Sequence, residues 1–333
     1  MYRNLFVLAV LAAIPVSAQS GAPIPISVNA ADVAAGRGAG GRHGHGKLKN
    51  TPAATASRAQ SAGHGSGSSS GGSGNNASRG PGDLSYNGGA LIVYAQSHAI
   101  YMNSQFPGFP ATCPTVAACW GDPEAFLRDL GNSEFIHIAD QYVKATGDNR
   151  YTVGKSASIN YVPAGQMSDF DILATVHAVA ASTGQTGYGH IYHVFLPPGQ
   201  DVCLSDGICA SNAICAYHSS ADFPDIGHVV YTVEPDQLGF GCAVAPGSPN
   251  GPRNDSTDNV LSHEMFETIT DPDGDAWFNT ATLLLLNDEI GDECEFITPF
   301  FFEVPIFKIG SKIYAVQREY DNSQHTCAVK AGI

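Results

Sequence analysis

The segment Asp258–Asp275, DNVLSHEMFETITDPDGD, carries the densest chemistry in the chain. His263 and Glu267 stand four residues apart, and on a helix that spacing puts both side chains on one face. Two ligands at i and i+4 are how an HExxH helix grips zinc, with the intervening glutamate as general base. Here a carboxylate replaces the second imidazole, and zinc binds carboxylate oxygen as well as imidazole nitrogen. The expectation is a Zn2+ site, or one for another divalent ion, with His263 and Glu267 as ligands. Glu264 would then take the proton from a water that the metal makes acidic.

A catalytic zinc needs a third protein ligand and an open position. The run Asn287–Cys294, NDEIGDEC, offers Glu289 as first choice, with Asp292 as an outer partner or alternative ligand. Asp271, Asp273 and Asp275 follow the helix in ordinary turn chemistry that could equally hold calcium. His218 could line the same cleft. His190 and His193 lie three apart on one expected strand and so face opposite sides, one packed and one exposed. No GxSxG elbow supports a serine hydrolase. The plainer alternative is a core histidine with one hydrogen bond and a structural network of acids.

These residues need a scaffold. A helix over Asn259–Thr270, capped by Asp255, Ser256 or Thr257, presents Val260, Leu261, Met265, Phe266 and Ile269 to a core. Asp122 with Pro123 opens another helix through EAFLRDL that resumes through IHIADQYV. Ser168 with Asp171 reads as a capping box ahead of ILATVHAVAAS. Ala90–Tyr94, Tyr151–Val153, Ser158–Val162, Gly189–Leu196 and His228–Val233 read as strands. A cysteine-rich loop separates the last two, and FFFEVPIF with KIYAVQREY reads as a terminal hairpin. The alternation predicts an α/β fold with a mixed sheet, disulfide-stapled, with a zincin-like active-site helix.

The ends and the cysteines set the compartment. Arg3, an apolar run Leu5–Ile14 and the small residues Val16–Ala18 read as a signal peptide over residues 1–18. Eight cysteines, all after residue 110, favour disulfides outside the cytosol. Closing nearby loops and tying down the C-terminus suggests Cys113–Cys119, Cys203–Cys209, Cys215–Cys242 and Cys294–Cys327. Residues 19–83 are rich in Gly, Ser, Ala and Asn and read as a disordered linker or propeptide. One globular domain would follow over residues 84–333. Asn76 and Asn254 are formal glycosylation acceptors.

From residue 84 the chain has nine Lys and Arg against 29 Asp and Glu, within an overall charge of −15. That balance disfavours nucleic acid and anionic membranes and suits divalent cations. No stretch after the leader is long and apolar enough to span a bilayer.

The run LSHEMFETITDPDGDAWF followed by NDEIGDEC resembles the secreted EXORDIUM-like (phosphate-induced) proteins and their microbial relatives. CAYH at Cys215–His218, the strand HVVYTV and the loop FGCAVAPG fall in the same order. The resemblance covers residues 88–330 in outline and is most specific over 203–294. It implies an extracellular or cell-wall protein. For microbial members that keep the HE pair, it also implies a zincin-type metallopeptidase, with His263 and Glu267 as ligands and Glu264 as base. The expected chain is a secreted monomer acting on a peptide or cell-wall substrate. The rival is a non-catalytic extracellular interaction protein on the same fold, and a third reading is a calcium-stabilised module.

Overall fold

A computed structural model describes residues 22–41, 82–102, 115–160, 165–205, 207–244, 247–279, 289–294, 306–309 and 311–332. The expected signal peptide, most of the expected linker and Cys113 lie outside these residues. Three of the expected disulfides are present: Cys203–Cys209, Cys215–Cys242 and Cys294–Cys327. Cys119 is disulfide-bonded as well. Among the described residues no helix is long and apolar enough to cross a membrane.

The frame is an eight-stranded mixed sheet between two helical layers. In chain order its strands are β1 (Ile24–Ile26), β2 (Gly40–Gly41), β3 (Ala95–Met102), β4 (Tyr151–Val153), β5 (Ala157–Ile159), β6 (His190–Phe195), β7 (Tyr217–Phe223) and β8 (Gly227–Glu234). Across the sheet they run β1-β5-β3-β6-β8-β7-β2, with β4 also pairing β3. The pairings from β1 to β8 are parallel, and β7 joins β8 and β2 antiparallel. Alternation along the strands divides the core in two. Ala99, Tyr101, Ile191, Phe195 and Val230 face one layer, and Ile100, Met102, Tyr192, Val194 and Tyr231 the other. The second layer holds α1 (Ala30–Gly38) and α3 (Asp169–Thr183); the first holds α2 (Pro123–Leu130) and α4 (Pro252–Thr270).

Local sequence explains several elements. Ser168 and Asp171 form the expected capping box at the start of α3. Pro123 opens α2 at its first position. Strands β9 (Ile306–Ile309) and β10 (Lys312–Ala315) form the expected terminal hairpin. A further pair, β11 (Glu319–Asp321) and β12 (Thr326–Ala328), closes the chain.

Four expectations need correction. Residues 22–41, read as linker, are folded: β1 extends the sheet beyond β5, β2 pairs β7, and α1 packs on α3. Composition hid this segment because α1 seats itself by close approach. A Cβ on Gly36 would lie 2.7 Å from the Ala174 backbone nitrogen. The apolar run Ala90–Tyr94 is not the strand. Its backbone docks on the end of α4 through Ile92 N to Ile269 O, and β3 begins at Ala95. Within β3 the polar Ser97 and His98 are buried by hydrogen bonds to His193, His190 and the Lys155 carbonyl. Helix α4 starts at Pro252 rather than Asn259, and Asp255 instead binds Asn250 through its backbone N–H and side chain. Finally, Tyr217–Phe223 is a strand rather than part of the cysteine-rich loop.

Candidate metal centre

Helix α4 carries His263, Glu264 and Glu267 into a fully enclosed space. Leu261, Met265, Phe266 and Ile269 anchor it in the core, which fixes the rotation of the opposite face. Three further pieces close that face. Strand β7 brings His218, the turn at residues 289–294 brings Glu289 and Asp292, and the stretch after β10 brings Gln317. The turn is pinned by Tyr320 N to Ile290 O and by the Cys294–Cys327 disulfide. Gly291 must be glycine, because a Cβ there would sit 2.4 Å from His263 Nδ1.

The donor atoms surround Glu267. Its Oε1 lies 3.1 Å from His263 Nε2, and its Oε2 lies 3.4 Å from His218 Nδ1. His218 Nδ1 is 3.5 Å from Glu264 Oε2, and its Nε2 is 3.8 Å from Glu289 Oε1. His263 Nε2 is 3.8 Å from Asp292 Oδ1. Two triads result, His218–Glu267–Glu289 and His263–Glu267–Asp292, each with one ligand atom per residue within 4.8 Å of the others. Ligands on one tetrahedral zinc, at bond lengths of about 2.0–2.1 Å, stand about 3.3 Å apart. The separations here bracket that figure, and most exceed ordinary hydrogen-bond lengths.

The two imidazoles are held differently. His218 Nε2 lies 3.1 Å from the Asp271 carbonyl oxygen. A carbonyl can only accept, so Nε2 carries the proton and Nδ1 turns toward Glu264 and Glu267. A ring N–H held by a backbone carbonyl, with the other nitrogen facing the site, is the usual posture of a metal-binding histidine. His263 Nδ1 instead meets Gln317 Nε2 at 2.8 Å, and that amide nitrogen also donates to Gly291 O at 2.7 Å. Neutral His263 therefore carries its proton on Nε2, toward Glu267 Oε1, which also accepts from the Asp292 N–H at 3.2 Å.

Burial and crowding set the protonation of this cluster. Burial opposes charge on His218, but the adjacent Glu264 and Glu267 carboxylates hold its pKa up at about 10. Glu289 is pushed well above the usual carboxylate range by burial and then by the charges of Glu267, Asp271 and Asp292. Burial also raises Glu264, and it raises Asp271 to about 6. Glu267 goes the other way: the two imidazoles outweigh its burial and keep it ionised. Without a cation the cluster retains protons to offset its own charge. A divalent cation would replace them.

All four expected ligands and the expected base therefore meet in one place, but not as one ligand set. His263 groups with Asp292, and Glu289 groups with His218; Glu267 is common to both. His218, read from sequence only as a cleft-lining residue, is a full member. Gln317 carried no sequence signal, since its role depends on a contact 54 residues away from His263. Among the described residues the acids of the Asp-Pro-Asp-Gly turn form no common ligand group. Asp271 Oδ1 accepts the N–H groups of Asp275 and Ala276, while Asp273 accepts from Tyr188 and Ser220. His193 is buried against Thr232 and Ser97, and His190, half-buried, contacts His98. Comparison with family models, with curated proteins and with solved structures finds no match for this chain.

Proposed function

We propose that the cluster around Glu267 binds a divalent cation, zinc first among them, and that the chain is a secreted metal-dependent hydrolase acting on an amide bond. The carrying observation is that the two oxygens of one buried carboxylate each face an imidazole at a ligand-like separation. His218, Glu267 and Glu289 are the donors best prepared to hold the ion, because the Asp271 carbonyl already sets the His218 tautomer. Such an ion supplies Lewis-acid chemistry and makes water acidic at neutral pH. Glu264 stands beside this triad as proton acceptor, and its raised pKa suits a base working near neutrality. Asp292 borders the cluster at 10 % side-chain exposure and marks its side toward solvent.

A second reading has its own observation. His218, His263, Glu264 and Glu267 are at most 1 % exposed, which suits a structural ion in a non-catalytic extracellular protein. One experiment separates the two. Metal analysis of the secreted chain should find bound zinc, and the wild type should cleave members of a peptide library while Glu264→Gln does not. Bound metal without cleavage by either protein supports the structural reading. A chain that binds no divalent ion overturns both.

A further inference from the structure

Resting on the metal-centre reading above, we infer that the cluster is built for two divalent cations rather than one, bridged by the Glu267 carboxylate. The geometry of Glu267 is the starting point. Its Oε2 faces His218 and its Oε1 faces His263, so each imidazole has an oxygen of the shared carboxylate to itself. Each triad has its own imidazole and its own second carboxylate. Asp292 faces the His263 Nε2, and Glu289 approaches His218 from the ring edge that carries the proton, with Glu264 the further carboxylate at Nδ1. A carboxylate shared by its two oxygens is how paired metal sites are commonly linked, and such pairs clamp both oxygens of a displacement.

Charge points the same way. Glu264, Glu267, Asp271, Glu289 and Asp292 surround two imidazoles, and all but Asp292 are fully buried. One divalent cation offsets two of these five carboxylates. A second brings the cluster within one charge of neutrality, which a sealed interior strongly favours.

The two sides are not equally ready. On the His218 side the Asp271 carbonyl holds the ring with Nδ1 facing inward. On the His263 side, ligation through Nε2 requires the proton to move to Nδ1. The Gln317 amide must then turn to accept it, giving up its bond to the Gly291 carbonyl. The His218 side therefore fills first, and Gln317 sets the weaker affinity of the second position. Replacing Gln317 by glutamate supplies an acceptor for Nδ1–H and should favour the second ion, since outer partners of this kind change metal affinity by about 10–100-fold.

The test is a Co2+ titration of the full, oxidised chain after chelator treatment, followed by visible absorbance and electron paramagnetic resonance. Two equivalents are expected, the first bound at least about 10-fold tighter, with the signal of the doubly loaded chain reduced by coupling through the bridge. His263→Ala should keep the tight equivalent and lose the weak one, and Gln317→Glu should tighten the weak one by about 10-fold. A single equivalent in wild type, lost in both His218→Ala and His263→Ala, overturns the pair while leaving a one-cation centre intact. No binding at all sinks the pair and the metal centre together. Should an alanine variant fail to fold, wild-type stoichiometry and Gln317→Glu still decide the matter.

Discussion

Two clusters of imidazole and carboxylate, one buried and one half-buried, lie at successive stations along the same helix and its following turn, and they are built to opposite ends. Around Asp273 both hydroxyl partners sit at short hydrogen-bond distance. Tyr188 Oη and Ser220 Oγ each donate at 2.6 Å, while His228 stands 3.3 Å from Asp273 and 2.9 Å from Asp222. Around Glu267 the imidazole–carboxylate separations run from 3.1 to 3.8 Å, and carboxylates outnumber the cationic partners. Residue type does not distinguish the clusters. Spacing does: the first is complete with its own donors, and the second is spaced as though around something else.

The largest effect expected from breaking this contrast is on metal content. His218→Ala should lower affinity for the first zinc by more than about 100-fold, beyond what losing an outer partner costs. Asp273→Asn should leave metal content unchanged, both read by equilibrium dialysis. A parallel loss in the two variants would erase the distinction. The next effect is on stability. Asp273→Asn replaces one of the two acceptor oxygens by an NH2 group, leaves one hydroxyl donor without its acceptor, and should cost about 1–2 kcal/mol in denaturant unfolding. Gly36→Ala, which drives a methyl into the α3 backbone, should cost about 1–2 kcal/mol. A neutral result there would mean that α1 does not seat as described.

The smallest effect is on pH dependence. Burial works against the Asp273 charge, but His228, Ser220 and Tyr188 hold its pKa well below the ordinary 3.8. Its contribution is present above pH 3.8 and is lost as pH falls below that value, with a slope of at most about 1.4 kcal/mol per pH unit. Wild type should therefore lose more stability than Asp273→Asn over that acid range. Equal slopes would remove Asp273 as the cause. Metal affinity at the Glu267 cluster should rise with pH, because loading displaces protons from His218 and Glu289. Calorimetry in buffers of different ionisation enthalpy would show the release.

What could be read in the sequence was local. The α3 capping box, the proline at the start of α2, the i and i+4 pair on α4 and three loop-closing disulfides all depend on neighbours along the chain. What could not be read was decided by distant contacts. Strand β3 hides its polar residues by pairing them with β6, so its pattern looks wrong for a buried strand. His263 and Glu289 were natural partners by order, yet the turn at Gly291 brings Asp292 to His263 and leaves Glu289 to His218. Gln317 is an unremarkable residue until the fold lays it across an imidazole and a carbonyl.

Both outermost strands of the sheet come from the same short stretch, residues 22–41, one at each margin. A protease that cut this stretch away would unzip two borders in a single event and leave β5 and β7 offering bare backbone to any extended chain nearby. The cover on both borders thus depends on twenty residues of modest composition, and their retention is worth verifying before any recombinant version is shortened.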